Sequence, residues 1–308
     1  MNNFIYHTPV LLNKSIYGLV TDPHGVYVDA TYGGGGHSKE VLYRLSKKGK
    51  LFAFDQDIDS KKNLINDTRL FFINSNFKHL KKYLNYYHIF KINGIIADFG
   101  VSSHQLDTPS RGFSIMKDGP LDMRMNKASD LTAEIVINDY EEKKLFKILK
   151  EYGQVPQASV IVNKISSHRK KVPIKSTIDL VKVVENSINK SSKYKVLAKI
   201  FQSIRIEVND ELEVIKQLLF QASELLKIKG RIICISYHSL EDRLIKNFFR
   251  SGSFDNDDNR DFYGNVKKPF KKIGGLIVPD LDEVKKNKRA RSAKMRIAEK
   301  IWKKFYPF

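Results

Sequence analysis

Cysteine and tryptophan are almost missing from this chain of 308 residues, with one of each, Cys234 and Trp302. A lone cysteine excludes an internal disulfide framework and any zinc cage built on thiolates. No run of eighteen apolar residues occurs, so no segment can span a bilayer as a helix. The opening residues, Met1-Asn2-Asn3-Phe4-Ile5-Tyr6-His7, lack the basic segment, apolar stretch and small-residue site of a secretory signal. A cytoplasmic protein with no membrane partner is expected. Acidic residues are scarce as well: 34 against 54 basic ones leave a net charge of +20. What is present is enough apolar material, 42%, to bury a core, which excludes wholesale disorder.

A surplus of positive charge favours an anionic partner, nucleic acid first. Of the 54 basic residues 41 are Lys, a bias that codon usage in an AT-rich genome also produces. Position says more than the total. Residues 267–308 hold fourteen Lys or Arg and four Asp or Glu, so half of the surplus lies in the last forty-two residues. Such a local concentration is the better nucleic-acid signal.

Val26–Thr31, Leu51–Phe54, Leu70–Ile73 and Ile92–Ala97 are nearly continuous apolar runs. That is the pattern of parallel strands covered on both faces. The first strand runs into Tyr32-Gly33-Gly34-Gly35-Gly36-His37-Ser38 and then a helical stretch from Lys39 to Ser46. Strand, glycine turn, helix and strand make a βαβ unit. The next buried strand, Arg231–Ser236, follows only after about 130 residues, far more than one crossover needs. The excess reads as a helical insertion. Leu145, Ile148, Leu149 and Tyr152 share a face; Pro156 suits the first turn of a helix carrying Val160, Ile161 and Ile165; Ser176 and Asp179 form a capping box. Asn209 is expected to cap a long helix that leads into the fifth strand. The expected fold is α/β, a Rossmann-like sheet at 1–107 and 209–308 interrupted by a helical domain at 108–208. The segment 251–275 reads as a mobile loop, and short strands are expected at Gly275–Val278 and Ala293–Ile297.

Four glycines between a buried strand and a helix let a ligand approach the backbone, and the helix N-terminus offers free N–H groups. Gly33 and Gly35 fit the first two positions of a dinucleotide fingerprint, but Ser38 stands at the third. Asp55, about twenty residues on, suits a ribose diol, which NAD and S-adenosylmethionine both carry. Asp29 tilts the choice: a carboxylate under the glycine turn opposes a pyrophosphate and welcomes a sulfonium or ammonium. The second candidate site, Asp98-Phe99-Gly100-Val101-Ser102-Ser103, follows the fourth strand at the same carboxyl edge.

Several segments in order resemble the ribosomal RNA small subunit methyltransferase H family, also called MraW. They are His7-Thr8-Pro9-Val10-Leu11-Leu12, Gly35-Gly36-His37-Ser38, Asp98 through Asp107, Arg111-Gly112-Phe113-Ser114, Gly119 through Met125, Phe201 through Leu212, Ser236 through Arg243, and Asn287 with Arg289-Ala290-Arg291-Ser292. The resemblance implies a class I methyltransferase, dependent on S-adenosylmethionine, that methylates N4 of a cytidine (position 1402 in standard rRNA numbering) in the decoding centre of 16S rRNA. It implies cofactor contacts at Gly35, Gly36, His37, Asp55, Phe77, Asp98 and Gln105, and leaves a homodimer open. Two departures stand out: Gln154-Val155 where the family has two glutamates, and Lys288 where it has proline.

Methyl transfer from a sulfonium is an in-line displacement that needs positioning and electrostatics and no metal. The amino nitrogen of cytosine must lose conjugation with its ring, so an acceptor has to take one N–H. Asp98, or a carbonyl or hydroxyl of Phe99 to Ser102, is expected in that role, with His238 and its neighbours Ser236 and Tyr237 orienting the base or relaying the proton. His37 is read as a neutral hydrogen-bonding residue rather than a base, because a helix N-terminus disfavours imidazolium. The nucleotide must leave its stack to reach the pocket. RNA contact is expected from Arg111, Arg124, Arg205, Arg243, Arg289 and Arg291, and from Phe262, Tyr263 and Phe270 among Lys267, Lys268, Lys271 and Lys272. The rival readings are an NAD-dependent oxidoreductase on the same sheet, a non-catalytic rRNA-binding assembly protein, and a DNA methyltransferase, whose usual proline-rich motif is absent after the fourth strand.

Overall fold

The computed structural model describes residues 9–255 and 268–302. His7, Thr8, Phe262, Tyr263 and Lys267 lie outside them. The described strands are β1 (Val26–Asp29), β2 (Lys50–Phe54), β3 (Leu70–Ile73), β4 (Ile92–Asp98), β5 (Leu226–Ser236), β6 (Phe270–Ile277) and β7 (Lys294–Lys300). The helices are α1 (Leu12–Leu19), α2 (Gly36–Arg44), α3 (Leu80–Tyr86), α4 (Ser103–Asp107), α5 (Ala133–Asp139), α6 (Glu142–Glu151), α7 (Ala158–Arg169), α8 (Thr177–Glu185), α9 (Lys193–Asn209), α10 (Glu211–Leu225), α11 (Ser239–Ser251) and α12 (Leu281–Lys286). None of the described helices is long and apolar enough to cross a membrane. The chain divides into two compact units, Met1–Gly100 with Leu212–Phe308, and Val101–Glu211.

The first unit is a seven-stranded sheet in the order β3-β2-β1-β4-β5-β7-β6. β1 to β5 pair in parallel, and β7 runs antiparallel to both β5 and β6. Alternate residues of the central strands enter two separate cores. Val28, Phe52, Ile95, Ile232 and Cys234 pack with α3, α10 and α11, while Tyr27, Leu51, Ile96, Ile233 and Ile235 pack with α1 and α2. This explains why the sequence shows no polar face on those strands. Burial pushes the Cys234 thiol above its usual range, which makes it an inert core residue.

On the first face Phe248 is fully buried, with the rings of Phe220, Phe254 and Phe270 at centroid distances of 5.3, 4.9 and 6.1 Å. Truncating it leaves a cavity that rigid neighbours cannot fill. Phe248→Ala should destabilise the protein by about 3–5 kcal/mol, read as a shift in denaturant unfolding. A cost below about 1 kcal/mol would contradict the packing.

The second unit is helical, with its own core from α5 to α9 that includes Leu145, Leu149, Ile161, Ile165, Leu180 and Ile204. Ser176 and Asp179 form the capping box at the start of α8. Three local expectations need correction. Pro156 precedes α7 rather than sitting in its first turn, because Gln157 adopts a left-handed conformation, φ 54°. Asn209 ends α9 instead of capping the next helix; its amide accepts from Met125 N at 2.7 Å and donates to Met123 O at 2.8 Å. And the expected loop to residue 275 is cut short by β6, which starts at Phe270.

Candidate active site

The carboxyl ends of β1, β2 and β4 each close on an aspartate region. At β1, Asp29 is buried and accepts from Thr31 N at 3.1 Å and from Ser38 Oγ at 2.7 Å. It thus ties the start and end of the glycine turn together. Burial raises its carboxyl to about 6 despite those two donors. Within the turn Gly35 has φ 75°, and a Cβ there would lie 2.7 Å from Tyr32 Oη. Gly36 starts α2, where a Cβ would lie 2.1 Å from the Pro9 ring. Both positions therefore require glycine. His37 is buried, with Nε2 3.1 Å from Val10 O, and burial lowers it to about 4. It is neutral at physiological pH and holds the N-terminal segment to α2.

Asp55 follows β2. Its Oδ2 accepts from Gly33 N at 2.7 Å and its Oδ1 from Asp57 N at 2.8 Å. Burial, with the charges of Asp57 and Asp29, raises it from 3.8 to about 7 against the pull of those hydrogen bonds. Phe77 lies in a short 3-10 turn after β3, half-buried, 6.0 Å from the Phe99 ring.

The raised carboxyl makes a prediction about pH. A folded-state pKa above the unfolded one means that the folded protein binds the extra proton between 3.8 and about 7. Its contribution to stability is fully present below 3.8 and is lost as pH rises toward 7. D55N removes this loss. The variant should gain thermal stability relative to the parent as pH rises from about 4 to about 8, on top of a pH-independent cost, because the asparagine NH₂ cannot accept from one of the two backbone N–H groups. His37 acts in the opposite sense in both proteins and cancels in the comparison. A difference that does not vary with pH would exclude Asp55 as the titrating group.

Asp98 closes β4. Its N–H donates to Thr31 Oγ1 at 2.7 Å, which locks β4 to the first strand's turn. Its Oδ1 accepts from Tyr237 Oη at 2.8 Å. Burial raises Asp98 to about 7; the Tyr237 hydrogen bond lowers it, and the charges of Asp29 and Glu241 add to the rise. Tyr237 and His238 form the β5–α11 turn. Their N–H groups donate to Oε2 of the buried Glu241, at 2.8 and 3.3 Å. His238 is the N-cap of α11, its Nδ1 accepting from Glu241 N at 3.5 Å and its Nε2 3.2 Å from Glu241 Oε1. The structure thus brings Asp29, Asp55, Asp98 and the β5–α11 turn to one sheet edge. Tyr237 as a direct partner of Asp98 was missed. Its only sequence signal was a tyrosine just after an apolar strand.

Ser102 and Gln105 belong to the second unit. Ser102 caps α4, accepting from Gln105 N at 3.2 Å, and Gln105 returns the bond at 3.0 Å.

Three of the six arginines do not face outward as expected. Arg111 is buried, its guanidinium donating to the carbonyls of Arg124 and Met125 at 2.8 and 3.1 Å. Arg124 pairs with Asp122 through two bonds of 3.0 and 2.7 Å and also binds the carbonyls of Lys127 and Ser129. Arg205 is bidentate on Glu211 at 2.7 and 2.8 Å. Their charges hold the second unit together, so the expectation of phosphate contact is withdrawn for all three. Arg243, Arg289 and Arg291 are exposed, as are Lys246 and Arg250 on α11 and Lys271 and Lys272 on β6. Burial and the charges of Arg296, Arg250, Lys268 and Lys246 push the Lys272 amine down, which marks a cationic patch at α11 and β6.

Comparison with known proteins agrees with the motif order. The family model described as the MraW methylase family matches residues 4–301. A protein from Flavobacterium johnsoniae named Ribosomal RNA small subunit methyltransferase H is 52% identical over 296 residues, covering 96% of this chain and 98% of its own. A protein of the same name from Christiangramia forsetii is 50% identical, covering 96% and 98%. Among solved structures, an rRNA methylase from Streptococcus thermophilus aligns over 93% of this chain and 92% of its own at 14% identity, with a TM-score of 0.38. On the family match and the identity to these relatives, the chain belongs to the MraW methylase family.

Proposed function

We propose that the protein is an S-adenosylmethionine-dependent methyltransferase acting on N4 of a cytidine in the decoding centre of 16S rRNA, with the small ribosomal subunit as partner. The observation that carries this reading is the acid-lined carboxyl edge at Asp29, Asp55 and Asp98, beside a turn that only glycine can form. Each of those carboxylates is held above its ordinary range by burial. A cationic ligand with a ribose diol relieves that cost; a pyrophosphate aggravates it. The donor set therefore fits the methyl donor.

Bound there, the cofactor supplies an electrophilic methyl group. Asp55 would hold the ribose hydroxyls, since a carboxylate oxygen that accepts one N–H keeps a second lone pair. Phe77 would pack against the adenine, and the backbone at Gly35 and Gly36, ordered from below by Asp29 and from the side by His37, would hold the methionine end. Asp98 accepts a hydrogen bond from the N4 amino group, which lets that nitrogen pyramidalise. Gln105 and Ser102 order the segment after Asp98. His238 holds the β5–α11 turn that carries Tyr237. Arg243, Arg289 and Arg291 meet RNA phosphates, and the helical unit takes part in RNA recognition. The enzyme works in the cytoplasm.

The test is incubation of small subunits with methyl-labelled S-adenosylmethionine, followed by nucleoside analysis. Label in N4-methylcytidine, lost with Asp98→Ala, is expected. Label in another nucleoside, or none, would overturn the assignment.

A further inference from the structure

Asp98 stands among acids. From β1 it is faced by Asp29, from the turn between β5 and α11 by Tyr237, and from the first turn of α11 by Glu241. Tyr237 is acted on in turn by Glu241 and by Glu283 of α12. Each charged group that acts on Asp98 from these elements is itself an acid. The one favourable contact in the set is the 2.8 Å hydrogen bond from Tyr237 Oη to Asp98 Oδ1. That tyrosine is not adjustable: its backbone N–H is fixed at 2.8 Å on Glu241 Oε2, and its ring lies 3.4 Å from where a Cβ on Gly100 would stand. One oxygen of Asp98 is therefore committed to Tyr237, and among the described residues no hydrogen bond to the other is seen.

A partly buried, desolvated carboxylate among other acids is favoured as an anion when a positive charge joins it. The methyl donor carries a sulfonium, and the product left after transfer carries a neutral thioether in its place. We propose that Asp98, clamped by Tyr237, changes protonation state with the charge of the cofactor: a carboxylate in the complex with S-adenosylmethionine, a carboxylic acid in the complex with S-adenosylhomocysteine. The inference rests on the methyltransferase reading above and adds how its site handles charge.

The atoms balance without a further reactant. The bond from N4 to the methyl carbon forms, the bond from sulfur to that carbon breaks, and its electron pair stays on sulfur. One N4 proton passes to Asp98. The sulfonium charge and the carboxylate charge vanish in the same event, so the site keeps one net charge from reactants to products. Asp98 enters the next cycle protonated and releases that proton as a new sulfonium arrives. An acid-lined edge can then turn over without holding an unbalanced charge at any stage.

The readout is the proton count of binding, which needs no RNA and no turnover. The full chain is titrated calorimetrically with S-adenosylmethionine and, separately, with S-adenosylhomocysteine, near pH 7 in two buffers of different ionisation enthalpy. Since Asp98 sits near half-protonation there, S-adenosylmethionine should release roughly half a proton and S-adenosylhomocysteine should take up roughly half, a difference of about one proton. Protons displaced by the shared ribose and amino-acid parts, including any from Asp55 or Asp29, cancel in that difference. D98N should abolish it. Y237F, which removes the hydrogen bond favouring the carboxylate, should move the pH at which the difference is half-maximal upward, a shift that a merely structural role would not produce. Normal binding of both ligands with equal proton release would overturn this inference alone, as would a difference that survives in D98N. Failure of both ligands to bind would overturn the methyltransferase reading and this inference with it.

Discussion

D98N is expected to lower the single-turnover rate of methyl transfer by about 10²–10⁴-fold while the chain stays folded. The range is that of a positioned proton acceptor removed from a transition state. The amide keeps the shape of the side chain and can still accept from Tyr237 Oη through its carbonyl oxygen. That leaves its NH₂ where the second carboxylate oxygen stood, a donor facing a donor. The N4 lone pair then stays conjugated with the ring. Because Asp98 N–H is anchored on Thr31 Oγ1, the backbone at β4 has no reason to move. The comparison is made at saturating cofactor, so that weakened binding does not enter. A variant that retains methyl transfer within about threefold of the parent would remove Asp98 from the chemistry and leave the carbonyls and hydroxyls after it as the acceptor.

The second large effect is on RNA affinity. Arg243, Lys246, Arg250, Lys272, Arg289 and Arg291 are exposed cations of the sheet unit, and Arg243, Lys246 and Arg250 lie at helical spacing along α11. If each meets one phosphate, the logarithm of the association constant should fall with the logarithm of salt at a slope of about −4 for single-stranded RNA. Between about 50 and 200 mM salt that is a loss of roughly 10²–10³-fold. Lys246→Glu should weaken binding and flatten the slope by about one contact's share, with S-adenosylmethionine binding unchanged. Arg124→Ala and Arg205→Ala should lower the stability of the helical unit instead, because their guanidinium groups are spent on Asp122 and Glu211. Equal salt slopes for Lys246→Glu and the parent would place the RNA elsewhere.

The central sheet was readable because parallel strands buried on both faces leave unbroken apolar runs, as at Leu51–Phe54 and Ile92–Ala97. β6 was not. It is an edge strand whose Lys271, Lys272, Gly274 and Gly275 are exposed, and solvent-facing Lys with Gly is the composition of a loop as much as of a protected edge. α1 gives no start signal, since Leu11 at its N-cap is left-handed and offers no side-chain acceptor. Asn209 looked like a cap because that residue type favours helix starts; in the fold its amide serves backbone groups of Met123 and Met125, more than eighty residues away.

The site was legible in part for the same kind of reason. Asp29, the glycine turn and Asp55 are close in sequence, so strand and turn logic placed them together. The pairing of Asp98 with Tyr237 spans 139 residues and exists because β4 and β5 are neighbours in the sheet, which no local pattern reveals. The arginines show the converse limit. A sequence displays a charge but not the partner that consumes it, and Arg111, Arg124 and Arg205 are each consumed inside the fold.

The most direct test of the account is a crystal structure of the protein grown with S-adenosylmethionine. The account predicts density for the cofactor along the carboxyl edge, with its ribose on Asp55, its adenine beside Phe77 and its sulfur on the side of Asp98. Cofactor bound away from those three residues, or an edge that takes up NAD instead, would contradict it.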